Sequence, residues 1–508
     1  MLNKILFMRL ISIFFVILLV FSNIGTSNLS LQNSKTNDIK IAKSNFKLNP
    51  KNKWYDGHFH GSWGRDKSCS DGKIWGGLNF GRRSTLGDFF GEWNASDDSS
   101  FGSINGRFIN NFLTGIIRND DNESVLFFIG FISFNDSNFK AIIFNPKLPI
   151  IRINGEHESS FLPPITGNYG VGVKTMHLID ESRLENFTDN DPDDYREMMV
   201  QLWYPIDKEI KEPRAEYMDA PTFAWLKGRS PIPLFMIPNK AYLFIRPHMK
   251  NEISIANDEQ YYPIIIFSPG YDGVYQIYSS FIEEMVSHGF IVASINHPYV
   301  SGITVFPDGR EVYISKDPPG NLSLRSVVED AKFVLDKLTE VNNTDPDFNG
   351  RFDLSKVGMY GHSFGGASTS ICLYEDDRFD CGLTLDGVFY TDVIPDGINK
   401  PFLLMIAENL FNNDNVQDMW DILKGDALKV QINGSTHYAF TDVGVLLKHL
   451  VPLIPINILG FGSIAPKLMV NITRAIILTF FEVYLKGESV ENLTNLLKSI
   501  DEIQFEIK

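Results

Sequence analysis

Nearly continuous apolar runs, separated by polar stretches, mark the chain from residue 198 to residue 432. In chain order they read MMVQLWYP, PIIIF, FIVASIN, VGMY, GLTL, PFLLMIA and LKVQI. Runs of this length are typical of strands that are covered on both faces. Between two of them, from Leu324 to Leu338, apolar residues recur at three- and four-residue intervals, which predicts a helix. This alternation favours an α/β fold, a mostly parallel sheet with helices on both sides.

Residues 52–160 have a different pattern, in which aromatic residues alternate with glycines. GHFHGSW at 57–63 recurs as GDFFGEW at 87–93. Glycines between alternating aromatics suit short strands that bend or approach another backbone closely. We predict a small N-terminal all-β accessory domain over 52–160, and a Pro-Pro pair marks its boundary with a catalytic domain over 165–508.

Residues 1–25 have the layout of a secretory signal peptide. Two basic residues precede a 12-residue apolar run, LISIFFVILLVF, and small and polar residues follow it. Because a membrane-spanning helix needs about 20 apolar residues, we favour a cleaved signal peptide and a secreted, extracellular protein. An uncleaved segment that anchors the protein in a membrane is the alternative. Residues 26–51 are rich in Asn, Ser and Lys, and we interpret them as a mobile leader.

Composition narrows the classes of function. The 508 residues are 44% hydrophobic and 21% charged, as in globular proteins, and the formal net charge of −16 argues against nucleic-acid binding. No Cys/His cluster has zinc spacing and no glycine loop is of the phosphate-binding kind, so we expect no metal and no cofactor. His58 and His60 would share one face of a strand, but they lack an evident third ligand, so we interpret them as surface or packing residues.

Sequons and cysteines bear on the compartment. The chain has ten Asn-x-Ser/Thr sequons, which support a glycoprotein of the secretory route: Asn28, Asn94, Asn122, Asn135, Asn186, Asn321, Asn342, Asn433, Asn471 and Asn492. Of its three cysteines, Cys372 and Cys381 could form a disulfide, and free or buried thiols are the alternative. Cys69 lies far from both in the sequence.

The stretch VGMYGHSFGGAST, from residue 357 to 369, places a serine in a glycine-flanked bend directly after a strand. Such a bend exposes the serine hydroxyl, and Gly361 and Gly365 leave room for it between strand and helix. The amide of Phe364, at the start of the helix, would then face the reacting carbonyl oxygen. We predict that Ser363 is a nucleophile, and a structural turn is the alternative.

A serine nucleophile needs a histidine base and an acid, which follow it in the order acid, then histidine, in this type of sheet. His437 lies in the loop after the last predicted strand and is our candidate, because the other downstream histidine, His449, lies in an apolar run. We expect the second oxyanion donor in SPGYDG, after the PIIIF strand. There Gly270 allows a close backbone approach and Tyr271 presents its amide.

Two sites compete for the acid. Asp386 closes the strand GLTLD, where the crevice of a parallel sheet opens, and Gly387 permits a sharp departure of the chain. Glu408, or Asp414 a little later, follows the next strand, which is the commoner place in sheets of this kind. We favour Asp386.

These motifs resemble the plasma-type platelet-activating factor acetylhydrolases, or lipoprotein-associated phospholipases, and their secreted bacterial esterase relatives. The resemblance covers about residues 166–487 and rests on TGNYGVG, LWYP, IIIFSPGYDG, SHGFIVASINHP, GHSFGG, LTLDG, STHYAF and GSIAPKLMVNITRAIILTFFEVYLKG. It implies an α/β-hydrolase fold and a secreted, metal-independent serine esterase. Such an esterase acts on short or oxidised sn-2 acyl groups of phospholipids such as platelet-activating factor. LTLDG also resembles the place where this family carries its aspartate, which supports Asp386.

Two departures from the family bear on acyl and headgroup preference. Pro269 precedes the glycine of the oxyanion loop, where the family usually has His, and INHPY replaces a more highly charged sequence after SHGFIVAS. The all-β domain lies outside the resemblance.

Three functions remain open at this point. We expect hydrolysis of a phospholipid or related lipid ester, with peripheral contact to a membrane or lipoprotein surface. A non-lipid carboxylesterase or polyester hydrolase would keep the same catalytic residues. A catalytically dead binding protein would use the all-β domain for adhesion. We interpret the apolar segment 443–462 as part of the core or of a cap, and a surface that docks on lipid is the alternative.

Overall fold

A computed structural model describes the chain from residue 57 to residue 508 with internal gaps. The residues not described are 1–56, 66–70, 84–85, 97–99, 110–111, 120–124, 134–137, 145–150, 160–161, 189–192, 211, 230–241, 243–244, 316–319 and 451–454. The predicted signal peptide and leader, and Cys69, therefore lie outside the described residues.

Eight antiparallel strands close into a barrel in the region predicted as the all-β domain. Each strand pairs with the next one, and β8 pairs with β1 to complete the closure. The strands are β1 Gly57–Gly64, β2 Gly72–Arg83, β3 Leu86–Ala95, β4 Phe101–Ile109, β5 Phe112–Asn119, β6 Val125–Ser133, β7 Asn138–Phe144 and β8 Ile151–Ser159.

The repeated aromatic-glycine motif fills the interior of this barrel. Phe59 packs edge-on against Phe89 with ring centroids 5.9 Å apart, and Trp63 packs against Trp93 at 5.7 Å. A β-carbon on Gly91 would lie 2.9 Å from the Phe59 ring, so the glycine is needed where the aromatic crosses it. The remaining interior cavity has a volume of about 20 Å³, which is room for about one water. The barrel is therefore a packed core and not a channel for a ligand.

A ten-stranded mixed sheet is the centre of the second part of the structure. Its strand order is β11-β9-β10-β13-β12-β16-β17-β18-β19-β20, and β14 and β15 form a separate hairpin. The strands are β9 Gly170–Leu184, β10 Tyr195–Ile206, β11 Met249–Asn251, β12 Tyr262–Ser268, β13 Ile291–Asn296, β14 Ile303–Val305, β15 Glu311–Tyr313, β16 Phe352–His362, β17 Cys381–Leu385, β18 Phe402–Ile406, β19 Ala427–Ile432 and β20 Ile503–Ile507.

The seven apolar runs all fall on strands of this sheet. The strands from β13 through β12, β16, β17 and β18 to β19 pair in parallel, as the alternation of strands and helices predicts. The margins differ, because β10 is antiparallel to both β13 and β9, and β20 is antiparallel to β19. A continuous apolar run indicates burial on both faces but carries no information on strand direction.

Helices cover both faces of the sheet. They are α1 Ala220–Arg229, α2 Ser279–Ser287, α3 Gly320–Thr344, α4 Phe364–Glu375, α5 Asp414–Ile422, α6 Val443–Leu450, α7 Pro466–Lys486 and α8 Val490–Lys498. Alternate side chains of β12 enter two apolar layers: Ile265 packs with α2 and α7, and Ile264 packs with α3 and α4. The predicted apolar stripe from Leu324 to Leu338 lies on α3 and faces the second layer.

The two apolar layers also show whether Cys372 and Cys381 can form a disulfide. Cys372, on α4, belongs to the layer of α3 and α4, whereas Cys381, on β17, belongs to the opposite layer. Both thiols are free and buried. The prediction of a disulfide is therefore wrong, because the two side chains lie on opposite faces of the sheet.

Among the described residues, α7 is long and apolar enough to cross a membrane, with a mean hydropathy of 1.6. Within the protein, 78% of that apolar stretch is buried. Ile472, Ile476 and Phe480 are fully buried in the layer that α7 shares with α2. The helix thus has the burial of a core helix.

Candidate active site

Ser363 occupies the bend between β16 and α4. Its backbone has φ 53° and ψ −114°, a conformation that side chains rarely adopt. A β-carbon on Gly361 would overlap the backbone of Gly365, and one on Gly365 would overlap the carbonyl of Ser268. The amide of Ser363 donates a hydrogen bond of 2.8 Å to the carbonyl of Leu385 in the neighbouring strand. The glycines of the motif thus allow the close packing that holds the strained serine in place.

Asp386 and His437 form a hydrogen-bonded pair at the same edge of the sheet. The Asp386 carboxylate accepts from Nδ1 of His437 through Oδ2 at 2.6 Å and from the Ala407 amide through Oδ1 at 2.7 Å. The Asp386 amide donates to the Met405 carbonyl at 2.7 Å, which fixes the backbone of the acid. Because Nδ1–H of His437 donates to the carboxylate, Nε2 is left as the proton acceptor.

The competing acids are placed elsewhere. Glu408 is exposed beyond the end of β18, and Asp414 is exposed at the start of α5. The acid bonded to His437 is therefore the one that the strand-end argument favoured. The competing histidine, His449, lies in α6, and its side chain is outside the described residues.

The loop Pro269–Gly273, which follows β12, lies directly against Ser363. A β-carbon on Gly270 would lie 3.0 Å from Nδ1 of His362 and 3.2 Å from Cβ of Ser363, which is tighter than most contacts of a β-carbon. The Gly273 amide donates to the Gly270 carbonyl at 2.9 Å, which closes a tight turn around Tyr271. The rings of Tyr271 and Phe364 are 5.9 Å apart, so the loop and the start of α4 border the same space. The N-terminus of α4 adds positive potential at this point.

His362 is also part of the site, although the sequence motifs predicted no role for it. Its Nδ1 is 2.9 Å from the Tyr278 hydroxyl, and its Nε2 is 3.0 Å from the carbonyl of His437. Burial, followed by the nearby His437, lowers the pKa of His362 to about 3, so its ring is neutral. Tyr278 therefore donates to Nδ1, and Nε2–H donates to the His437 carbonyl. The histidine in GHSFGG could have signalled this role, because it is adjacent to the serine.

A cavity of about 480 Å³ opens over these residues and is mostly apolar. Arg229 and Lys227 border it, and Arg229 pairs with Asp272 at 3.1 Å and stacks on Trp225. The cavity thus combines an apolar interior with a charged border. Its other lining side chains include Met218, Phe223, Leu226, Ile245, Ile277, Tyr438, Leu446, Leu447, Leu459 and Phe461.

The apolar segment 443–462 forms one wall of this cavity. Three buried side chains of the segment line the cavity: Leu446 and Leu447 on α6, and Phe461. Ile458, in contrast, is 73% exposed. In its described part, the segment is thus mainly a cap over the site.

No group of three or more His, Cys, Asp or Glu side chains that could hold a metal ion occurs among the described residues. His60 is exposed on β1, and the side chain of His58 lies outside the described residues.

Comparison with known proteins places the region that contains the sheet in a family. The family model described as "Platelet-activating factor acetylhydrolase, isoform II" matches residues 154–339 and 340–503. The solved structure of a ferulic acid esterase from Streptomyces cinnamoneus aligns with a TM-score of 0.58 and 28% identity. The alignment covers 67% of this chain and 98% of the esterase.

Two curated relatives agree with the family match. A platelet-activating factor acetylhydrolase of Cavia porcellus is 28% identical over 279 residues, which cover 47% of this chain and 62% of the relative. A probable 1-alkyl-2-acetylglycerophosphocholine esterase of Arthroderma benhamiae is 27% identical over 174 residues, which cover 32% of this chain and 42% of the relative.

The sheet, together with its esterase neighbour, defines an α/β-hydrolase-like protein. The chain belongs to the platelet-activating factor acetylhydrolase isoform II family, because the family model matches more than half of it. The resemblance seen in the motifs is thereby confirmed. The chain spans 62% of the length of the Cavia porcellus relative. The family match begins at residue 154, within β8, so it leaves most of the barrel outside.

We expect Asp386→Asn to lower kcat on a soluble short-chain ester by about 10⁴-fold, the order seen for this change in protease triads. Asn keeps an acceptor for the Ala407 amide, but its NH₂ group cannot accept from Nδ1 of His437, so the histidine loses its orientation. Steady-state kinetics with circular dichroism as the folding check measures this. Glu408→Gln is the matched control and should leave kcat little changed. If Glu408→Gln lowers kcat strongly and Asp386→Asn lowers it little, the acid is the residue after β18 instead.

Proposed function

We propose that this protein is a serine esterase that hydrolyses carboxylic esters. The observation that carries the proposal is the hydrogen-bonded pair of Asp386 and His437 at the cavity that Ser363 lines. The names of the family and of the relatives agree with it. An intact pair of acid and base beside a strained serine argues against a catalytically dead binding protein.

In the proposed mechanism, Nε2 of His437 takes the proton of the Ser363 hydroxyl as Oγ attacks the ester carbonyl. Asp386 stabilises the resulting imidazolium and keeps its orientation. The amides of Tyr271 and Phe364 hold the negative oxygen of the tetrahedral intermediate. His437 then protonates the departing alkoxide, which leaves an acyl-enzyme. A water, activated by the same histidine, releases the acid and restores Ser363.

The proposed substrate is a phospholipid with a short or oxidised sn-2 acyl group. An apolar cavity of about 480 Å³ suits a short acyl chain, and the charged residues at its border suit a polar headgroup. A second candidate is a non-lipid carboxylic ester, which is favoured by the ferulic acid esterase that aligns over 98% of its length.

We also propose peripheral contact with a lipid surface, through the outer side of β4–β7. Six large apolar side chains on this outer barrel face are 41–67% exposed: Phe101, Ile109, Phe127, Ile129, Phe131 and Ile142. Arg118 and Lys140 lie among them, and the four strands themselves contain no acidic residue, whereas the connections between them contain Asp120, Asp121, Glu123 and Asp136. An apolar face with basic residues suits a membrane or lipoprotein surface with anionic headgroups.

We propose that the protein enters the secretory route and carries N-linked glycans. The N-terminal segment of the sequence supports entry. The side chains of Asn186 and Asn433 are exposed at their sequons, whereas Asn471 is only 4% exposed within α7. The folded protein thus has room for a glycan at the first two sites and none at the third.

We expect a fluorophosphonate probe to label the full chain and Ser363→Ala to abolish both labelling and ester hydrolysis, because Oγ is the proposed nucleophile. Ser368→Ala is the matched control, since its hydroxyl lies on α4 and only bonds the Gly365 carbonyl. Hydrolysis that survives in Ser363→Ala would refute the proposal. An acetylated phosphatidylcholine should be turned over at a higher kcat/KM than methyl ferulate, and the reverse ranking would favour the second candidate.

We expect Phe127→Ser combined with Phe131→Ser to lower binding to anionic phospholipid vesicles by roughly tenfold, because both rings leave the outer barrel face. Vesicle flotation measures it, and activity on a soluble ester should not change. Ile507→Ser is the control, since Ile507 is exposed on β20 of the sheet. Equal flotation of the double variant and the wild type would contradict the proposed face.

We expect glycopeptide mass spectrometry of protein secreted from a eukaryotic host to find glycans at Asn186 and Asn433 and none at Asn471. A glycan on α7 would disrupt its buried packing. Asn186→Gln and Asn433→Gln should each remove one glycan. A secreted protein without a glycan at either exposed site would contradict the prediction.

A further inference from the structure

A second Ser-His-Asp arrangement lies behind the active site, within the protein. The Ser268 hydroxyl is 2.9 Å from Nε2 of His297, and Nδ1 of His297 is 2.9 Å from Oδ2 of Asp330. All three residues are at most 1% exposed. No substrate can reach Ser268, so this set is not a second nucleophilic site.

Asp330 is held by two arginines. Arg196 donates to its two carboxylate oxygens at 2.6 and 3.1 Å, and Arg183 donates at 2.9 Å. Arg196 also pairs with Glu185 at 2.8 Å. Although burial opposes ionisation, the charge of Arg196 keeps the pKa of Asp330 far below its usual range.

The buried carboxylate in turn defines the state of His297. Burial lowers the pKa of His297, so the imidazole is neutral. Nδ1–H donates to Asp330, and Nε2 is left to accept from the Ser268 hydroxyl. Hydrogen-bond donation thus runs from Ser268 through His297 to Asp330, which also accepts from Arg196.

Ser268 is the last residue of β12 and directly precedes the oxyanion loop, Pro269–Gly273. The loop lies on the segment that begins with His297. The Asp272 amide donates to the Val300 carbonyl at 3.0 Å, and the Gly302 amide donates to the Gly273 carbonyl at 3.1 Å. Between the ends of that segment, the Ser301 hydroxyl accepts from the His297 amide at 2.9 Å. The rear of the loop is therefore bonded to a segment that the buried charges fix.

We propose that His297, held by Asp330 and Arg196, is a positioning residue that sets the place of the oxyanion loop against Ser363. This inference rests on the proposed ester hydrolysis and assigns a role to groups that contact no substrate. A donor of an oxyanion hole acts over a hydrogen-bond distance. A small displacement of Gly270 and Tyr271 therefore reduces stabilisation of the transition state more than it reduces the affinity for the substrate.

The test uses the full-length chain with Ser268→Ala and His297→Gln, assayed on a soluble short-chain ester. We expect kcat to fall by roughly 10- to 100-fold in each variant while KM changes by less than about twofold. The affinity for a trifluoromethyl ketone, whose adduct with Ser363 carries the negative oxygen, should fall by the same factor as kcat/KM. Thermal unfolding is measured in parallel, because a purely structural network would change the melting temperature and leave kcat intact.

Ser294→Ala is the matched control. Ser294 is a buried serine on β13 whose hydroxyl accepts from the Trp203 indole at 2.8 Å and donates to the Gln201 carbonyl at 3.2 Å, so its side chain bonds β10 and not the oxyanion loop. Its loss should lower stability without lowering kcat. The inference fails if folded Ser268→Ala retains kcat and inhibitor affinity within about twofold of the wild type, or if Ser294→Ala loses as much. A wild-type protein that hydrolyses no ester would instead refute the proposed function, so the two failures are distinguishable.

Discussion

The backbone of Ser363 has a positive φ of 53°, and the contacts that hold this strained residue also define the rest of the site. A residue in such a conformation costs about 1–3 kcal/mol, which the surrounding structure must offset. At Gly361 and Gly365, strand, helix and neighbouring loop approach so closely that a single β-carbon would not fit. The positions of Ser363, the start of α4 and the carbonyl of Ser268 therefore depend on the same close contacts. None of the three can move far without the other two.

The residues of the candidate triad could be predicted because local patterns specify them. A glycine-flanked serine after an apolar strand indicates the bend, and the ends of parallel strands meet at one edge of a sheet. The sequence therefore sufficed to bring together Ser363, Asp386 and His437, which the structure places at one cavity or joins by hydrogen bonds. The choice between Asp386 and Glu408 rested on the end of its strand, on Gly387 and on the resemblance to a family together, because both residues end similar strands.

Other features depend on contacts between distant parts of the chain, which no local pattern contains. The barrel closes between β1 and β8, and its repeat predicted strands without predicting closure. The antiparallel β10 has the same apolar pattern as its parallel neighbours. Arg196 and Asp330 are 134 residues apart, so their buried ion pair has no signal in either neighbourhood. Cys372 and Cys381 are close in sequence, yet the sheet separates them.

One peptide group, between Leu385 and Asp386, connects three strands of the site. Its carbonyl accepts from the Ser363 amide, and its N–H donates to the carbonyl of Met405 in β18. Hydrogen bonds arranged in series through one peptide plane polarise and strengthen one another. The backbones of Ser363 and Asp386 are therefore linked by one hydrogen bond across a single planar peptide group. His437 joins this group through Nδ1, which donates to the Asp386 carboxylate, and its backbone carbonyl accepts from Nε2 of His362, the residue before Ser363.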